Sequence, residues 1–309
     1  MRIVFMGAPQ FAVPALERLI SGEHTVVAIY TQPDKPAGRG RMPSFPPIKR
    51  VALEYGLEVR QVESFAKADA AASLADLSPD VIVVAAFGQI LPPRVLAVPP
   101  FGCINLHPSL LPRHRGPTPI PSSILAGDEW TGVSIMLLDE GVDSGPILEQ
   151  RRVLIAPQDT TDSLTDKLAQ ISAQLLEETL PRWLSRSLTP QPQPEEGATY
   201  TRLISKGDGN IDWQIPAVHI ERMVRAYYPW PGCYTTWRGK MLKIVLAAPI
   251  TGERGESGRV LTLPRGEVGV QCGEGILRLQ GLQLEGKREM AADEFLRGQR
   301  DFVGSLLPC

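Results

Sequence analysis

Asn105 and His107 stand two residues apart at the end of an apolar run, CINLH, which leads into the turn PSLLPRHRG. In an extended strand, side chains two apart share a face, so Asn105 and His107 point together while Ile104 and Leu106 point the other way. Pro108, Pro112 and Gly116 stop the strand and leave the pair at its mouth. A side-chain amide can donate to an oxygen that is gaining negative charge, and an imidazole can move a proton near neutral pH. A strand that merely turns polar on reaching solvent would give the same two letters.

A third polar group comes from GVSIMLLDEGVDSGPIL. If Val133 to Leu138 form the neighbouring strand, Asp139 and Asp143 lie on the loop at its C-terminal end, expected on the same sheet edge as His107. Asp139, before Glu-Gly in a turn, is expected to cap backbone. The chain has four histidines. His24 and His219 sit in polar or helical contexts and His114 in an Arg-rich turn, leaving His107 as the candidate for chemistry.

The elements that must position these groups can be read from periodicity. RIVFMG, TVVAIYT, LEVRQV, DVIVVAAFG, GCINLH and TGVSIMLLD are short, β-branched apolar runs, with helical patterns near 11–21, 47–56, 67–77 and 118–127 between most of them. This alternation predicts a doubly wound, mostly parallel, Rossmann-like sheet. A strand near Ile147 to Ile155 and a long helix from about Thr161 to Ser185 close a first domain at residues 1–188. TPQPQPEEGATY then predicts a semi-rigid linker over 189–206. Residues 207–309 begin with a helix, PAVHIERMVRAYYP, and continue as five short strands, predicting a small OB-like β-barrel. The aromatic run Tyr227 to Trp237 is read as packing at the junction of helix and barrel.

Composition excludes several classes. The chain has 309 residues, 43% of them hydrophobic, enough for two cores. Its opening strand MRIVFMG follows no leader pattern, and no apolar run would span a bilayer, so a cytoplasmic protein with no membrane partner is expected. Cys103, Cys233, Cys272 and Cys309 lack C-x-x-C spacing, which argues against a disulfide framework or a zinc site and fits a reducing compartment. The net charge of -2 speaks against a strongly basic nucleic-acid protein, yet Asp34 to Arg50 holds five basic residues and one acid on a Gly/Pro frame expected to be a loop. A nicotinamide enzyme is disfavoured. The first turn, GAPQFAVP, lacks the later glycines of a dinucleotide fingerprint, and TVVAIYTQ ends without a ribose-binding acid.

INLHPSLLPRHRG and GVSIMLLDEGVDSGPIL together resemble the folate-dependent formyltransferases. The resemblance implies that Asn105, His107 and Asp143 form the catalytic set. It also implies that Ser109, Leu110, Leu111 and Pro112 form a folate-binding turn, and that AFGQILP, with Phe87, Gly88, Gln89, Ile90 and Leu91, lines a pterin pocket. The branch that acts on methionyl-tRNA is similar over the whole chain: GAPQFAVPALERL, TQPDKPAGRGRMPSFPPIK, the linker, and IDWQIPAVHIERMVRAYYPWPG. Sugar-amine formyltransferases share the two-domain layout but not the PDKPAGRG loop. A folate- or RNA-binding protein without catalysis is disfavoured by the complete Asn, His and Asp set. Pro108 in place of Gly, GPTPIPSSIL, and a basic loop that is shorter than usual depart from the family pattern.

What this resemblance implies is formyl transfer from 10-formyltetrahydrofolate to the α-amino group of initiator methionyl-tRNA, by a monomer that needs no metal. Lys35, Arg39, Arg41 and Lys49 would face the tRNA, with Arg39 at its acceptor end, and the second domain would help to bind it. Asn105 would hold the tetrahedral oxyanion, and Asp143 would orient His107 and raise its pKa.

Overall fold

The β-branched runs form strands, which the computed structural model describes within residues 1–37, 42–65, 68–253 and 255–308. In chain order the first nine are β1 (Arg2–Gly7), β2 (Thr25–Thr31), β3 (Lys35–Ala37), β4 (Met42–Ser44), β5 (Val59–Gln61), β6 (Val81–Ala85), β7 (Cys103–His107), β8 (Trp130–Leu137) and β9 (Ile147–Leu154). Helices α1 (Val13–Ser21), α2 (Pro47–Glu54), α3 (Ala68–Ala75), α4 (Pro93–Leu96), α5 (Pro119–Ala126) and α6 (Thr161–Leu184) lie between and after them. Prolines open α2 and α4 at positions where a missing N–H costs nothing.

One unit comprises residues 1–119, 130–154 and 165–202. Its sheet runs β5-β2-β1-β6-β7-β8-β9. Val4, Met6, Tyr30, Ile82 and Val84 form one core with Phe65, Leu74 and Val95. The alternate residues Ile3, Phe5, Ile29 and Val83 are equally buried, and α1 and α2 lie against β2 and each other. A sheet covered on both faces explains why these strands read as unbroken apolar runs.

The strands are parallel from β5 to β7. β8 then reverses, pairing antiparallel with both neighbours, with His107 opposite Ser134 and Ile104 opposite Leu137. The C-terminal end of β8 therefore lies beside the start of β7, not beside His107. The loop carrying Asp139 and Asp143 starts at the opposite sheet edge from the one expected and must fold back to reach the histidine.

The proline-rich stretch makes specific contacts where a spacer was expected. Gln191 exchanges two backbone hydrogen bonds of 2.8 Å with Ile147, and Tyr200 bridges to Arg115. Prolines remove donors at alternate positions, but the intervening residues keep theirs and use them on this unit.

The other unit comprises residues 120–129, 155–164 and 203–309. Its boundaries interleave with the first, because Thr161 donates to the Ala226 carbonyl at 2.6 Å and Arg225 to that of Asp159 at 3.1 Å. Strands β10 (Cys233–Trp237), β11 (Lys240–Ile250), β12 (Val260–Thr262), β13 (Val268–Gln271), β14 (Ile276–Leu284) and β15 (Met290–Ala291) accompany helices α7 (Ala217–Ala226) and α8 (Ala292–Gly298). The order β10-β11-β14-β13-β12, with β15 on β14, is an antiparallel sheet curled as a half-barrel. Trp237, Phe295 and Phe302 meet edge to face with ring centroids 5.2 to 5.8 Å apart. Of the aromatic run, Tyr227 and Trp237 are core, whereas Tyr228 and Trp230 are exposed.

Burial pushes the Cys103 and Cys233 thiols up to about 12 and Cys272 up to about 11, leaving all three as inert neutral thiols. Among the described residues no helix is long and apolar enough to cross a membrane.

Candidate active site

The carboxyl ends of four parallel strands come together at one edge. Met6 lies opposite Tyr30, Gly7 opposite Ala85, and Val84 opposite Asn105. The loops that follow β1, β2, β6 and β7 all leave from this edge, where open parallel sheets bind ligands.

The returning loop brings Asp143 onto the Asn105–His107 pair. Asn105 Nδ2 donates to Asp143 Oδ1 at 3.3 Å, and His107 Nδ1 lies 3.6 Å from Asp143 Oδ2. Gly116 N donates to the same Oδ2 at 2.8 Å. On the far side of the ring, Nε2 lies 3.0 Å from the His114 carbonyl. A carbonyl can only accept, so this contact assigns a proton to Nε2, and in the neutral ring the Nδ1 lone pair faces Asp143.

His107 is 4% exposed, and this burial holds its pKa below the usual range, opposed by the attraction of Asp143. The attraction of Asp143 raises the pKa as expected, but burial sets the net direction. Desolvation of the imidazolium outweighs a carboxylate too far away for a direct hydrogen bond. Burial thus favours the neutral ring.

Asp139 caps its own turn, accepting from Gly141 N at 3.0 Å and Ser144 Oγ at 3.0 Å. The Ser109–Pro112 turn is fixed from below. Ser134 Oγ donates to the Ser109 carbonyl at 2.6 Å and accepts from Leu111 N at 3.0 Å, while Gln150 donates to the Leu111 carbonyl at 3.0 Å. Leu110 approaches Gly132, where a Cβ would be 2.5 Å from it. Pro112 accepts from Thr199 N at 3.3 Å.

In the segment after β6, Phe87 is buried against Phe65 with centroids 6.1 Å apart, Leu91 is buried beside it, and Ile90 is 84% exposed. Phe87 thus packs in the core behind this segment. Gly88 has φ +75°. Gln89 donates to the Val62 carbonyl at 2.7 Å, while its buried Oε1 has no partner.

β3 and β4 form a two-stranded ribbon carrying Lys35, and Lys49 lies on α2. Lys49 Nζ sits 2.7 Å from Asp34 Oδ2 and 4.3 Å from the Phe45 ring centroid. Hydrogen bonds from Lys49 and Gln61 hold the Asp34 carboxyl below its usual range. Arg39 and Arg41 lie outside the described residues.

Four residues of the site carried no sequence signal. Ser134 and Gln150 depend on the β7-β8-β9 register, and Arg115 and Gln193 on how the proline-rich stretch runs. Gly116 carried one, since its φ of +107° requires glycine.

Two family models match the chain: "Formyl transferase" over residues 1–180 and "Formyl transferase, C-terminal domain" over residues 203–300. A methionyl-tRNA formyltransferase of Roseiflexus castenholzii is 49% identical over 303 residues, covering 97% of this chain and 96% of the relative. One of Dehalococcoides mccartyi is 48% identical over 309 residues, covering 98% and 97%. Among solved structures, an N-formyltransferase from Helicobacter canadensis in complex with folinic acid and dTDP-3-aminofucose has a TM-score of 0.68 at 17% identity, covering 90% of this chain and 98% of that one. HypX from Aquifex aeolicus in complex with tetrahydrofolic acid has a TM-score of 0.61 at 19% identity, covering 98% of this chain and 48% of its own. At these identities the two structures share the fold alone.

Proposed function

The chain belongs to the formyltransferase family, and we propose that it transfers the formyl group of 10-formyltetrahydrofolate to the α-amino group of methionine on initiator methionyl-tRNA. The observation that carries this reading is the convergence of Asp143 on Asn105 and His107, in a chain that matches methionyl-tRNA formyltransferases over nearly its whole length.

The neutral α-amine attacks the formyl carbon, and the carbonyl electron pair moves onto oxygen. Asn105 has a second amide hydrogen beyond the one directed at Asp143, and it donates this to the oxyanion; one such donor is typically worth about a hundredfold or more in rate. His107, neutral at rest, takes the ammonium proton at Nδ1, where the adjacent carboxylate of Asp143 stabilises the imidazolium. Collapse of the intermediate reforms the carbonyl and breaks the bond to N10 of the folate. That nitrogen leaves with the proton from His107, giving tetrahydrofolate.

The folate would lie between the turn Ser109–Pro112 and the segment Gly88–Leu91. Support comes from Gln89 Oε1, a buried acceptor without a partner, which an N–H-bearing heterocycle such as a pterin would satisfy. Lys35, Arg39, Arg41 and the second unit would contact the tRNA. Lys49, paired with Asp34, would contribute little net charge.

The test is incubation with 10-formyltetrahydrofolate and either charged initiator tRNA or a nucleotide-linked amino sugar. Formyl-methionyl-tRNA is the expected product. Formylation of the sugar, with the tRNA untouched, would overturn the assignment.

A further inference from the structure

We propose that Gln193, in the proline-rich stretch, is a positioning residue for formyl transfer that acts by holding Asp143 in place. The inference rests on the proposed reaction for its kinetic consequences, and on geometry for its physical content.

Asp143 has φ +48°, in the left-handed region that L-residues enter at a cost. Strain of this kind persists only where neighbours over-determine it. Gln193 Nε2 supplies that constraint, donating to the Asp143 carbonyl at 2.9 Å and the Gly145 carbonyl at 2.7 Å. One amide thus bridges the two carbonyls that flank Ser144. Gly145 lies so close to the Leu137 carbonyl that a Cβ there would run into it, so only glycine fits.

The other end of Gln193 is fixed in turn. Its Oε1 accepts from Arg115 Nε at 3.1 Å, and Arg115 is 1% exposed. Arg115 Nη1 also reaches Tyr200 Oη at 2.9 Å and Glu195 at 3.2 Å. The Arg115 backbone donates to Thr199 at 2.9 Å and accepts from Thr201 at 2.7 Å. His114 N donates to Thr199 Oγ1 at 2.8 Å. Residues 193–201 therefore fix His114, whose carbonyl faces the His107 ring, and Gly116, whose N–H meets the carboxylate of Asp143. Gln193 is where this strap grips the catalytic loop itself.

The donor and acceptor ends of the side chain do different work, and this sets the test. Gln193→Glu is isosteric and keeps an acceptor for Arg115, but it puts a carboxylate oxygen against two carbonyls. Gln193→Ala removes both ends. With the full chain, each variant should lower kcat about tenfold to a hundredfold, leave KM for both substrates within about threefold, and keep Tm close to that of the parent. In an Asp143→Ala background, Gln193→Ala should cost less than about twofold more, because its effect passes through the missing group.

A second readout needs no turnover. The His107 ring faces the Asp143 carboxylate and the His114 backbone, with the His114 imidazole as the other nearby titrating group. NMR titration of labelled histidine should show the His107 midpoint falling in Gln193→Ala, as the carboxylate drifts away. An unchanged midpoint, near-parent kcat in Gln193→Glu, or independent, multiplying losses in the double variant would each overturn the assignment. If the parent enzyme formylates no methionyl-tRNA, the proposed reaction fails, while the histidine titration still decides the role of Gln193.

Discussion

Asp143→Asn keeps the shape of the side chain and removes one charge. A carboxylate 3.6 Å from His107 Nδ1 is worth about 5 kcal/mol to an imidazolium at an effective dielectric near 20, and about 1 kcal/mol in water. Asp143 is partly exposed, so the working value falls between these, at roughly 2 to 4 kcal/mol, or about thirty- to a thousandfold in rate if the transition state carries the proton on His107. The substitution has a second cost. Oδ1 and Oδ2 accept from Asn105 and Gly116 respectively, and an amide offers only one oxygen, so one of these donors would face an NH2 group. The expected outcome is a kcat about a hundredfold lower or less still, with KM for tRNA and folate near that of the parent. The acid limb of the pH–rate profile should also move to lower pH, because the charge that raises the His107 pKa is gone. Steady-state formylation of methionyl-tRNA between about pH 5 and 9 measures both. A variant within threefold of the parent at every pH would refute the idea that charge beside Nδ1 contributes to the reaction.

Burial lowers the folded-state pKa of His107, so the unfolded chain binds the proton first as pH falls below about 6.5. The contribution is intact above that value and is lost on acidification, towards the lower folded-state pKa. Denaturant titrations should therefore show the stability of His107→Asn falling less steeply with acid than that of the parent. For tRNA, Arg39→Ala should lower kcat/KM for an initiator and shrink discrimination against a tRNA with a strong first base pair. Lys49→Ala removes a charge already matched by Asp34 and should change kcat/KM and its salt dependence only slightly. Equal losses in the two variants would reduce the basic segment to a general phosphate contact.

The local elements were legible because their signals are local. The β-branched runs became strands, and Pro47 and Pro93 mark where α2 and α4 begin. Asn105 and His107 were legible for the same reason, since a period of two fixes their common face. Asp143 was singled out but its route was not, because strand direction is set by tertiary pairing and β8 runs against β7. His107 looked like a group to be charged by its neighbour, and only its depth in the fold shows that desolvation prevails. Gln193 was invisible. A glutamine between prolines carries no mark of the two carbonyls it will meet fifty residues upstream.

That separation along the chain bears on when the protein becomes an enzyme during its own synthesis. The last strand of the seven-stranded sheet ends at Leu154, whereas the side chain that grips Asp143 belongs to Gln193. A ribosome adding roughly 5 to 20 residues per second takes about 2 to 8 seconds to cover that interval. Throughout it, the sheet can be complete while the loop carrying Asp143 still lacks the contact from Gln193. A nascent chain stalled there would hold Asn105 and His107 in a finished strand, without the Gln193 contacts to the loop that carries Asp143.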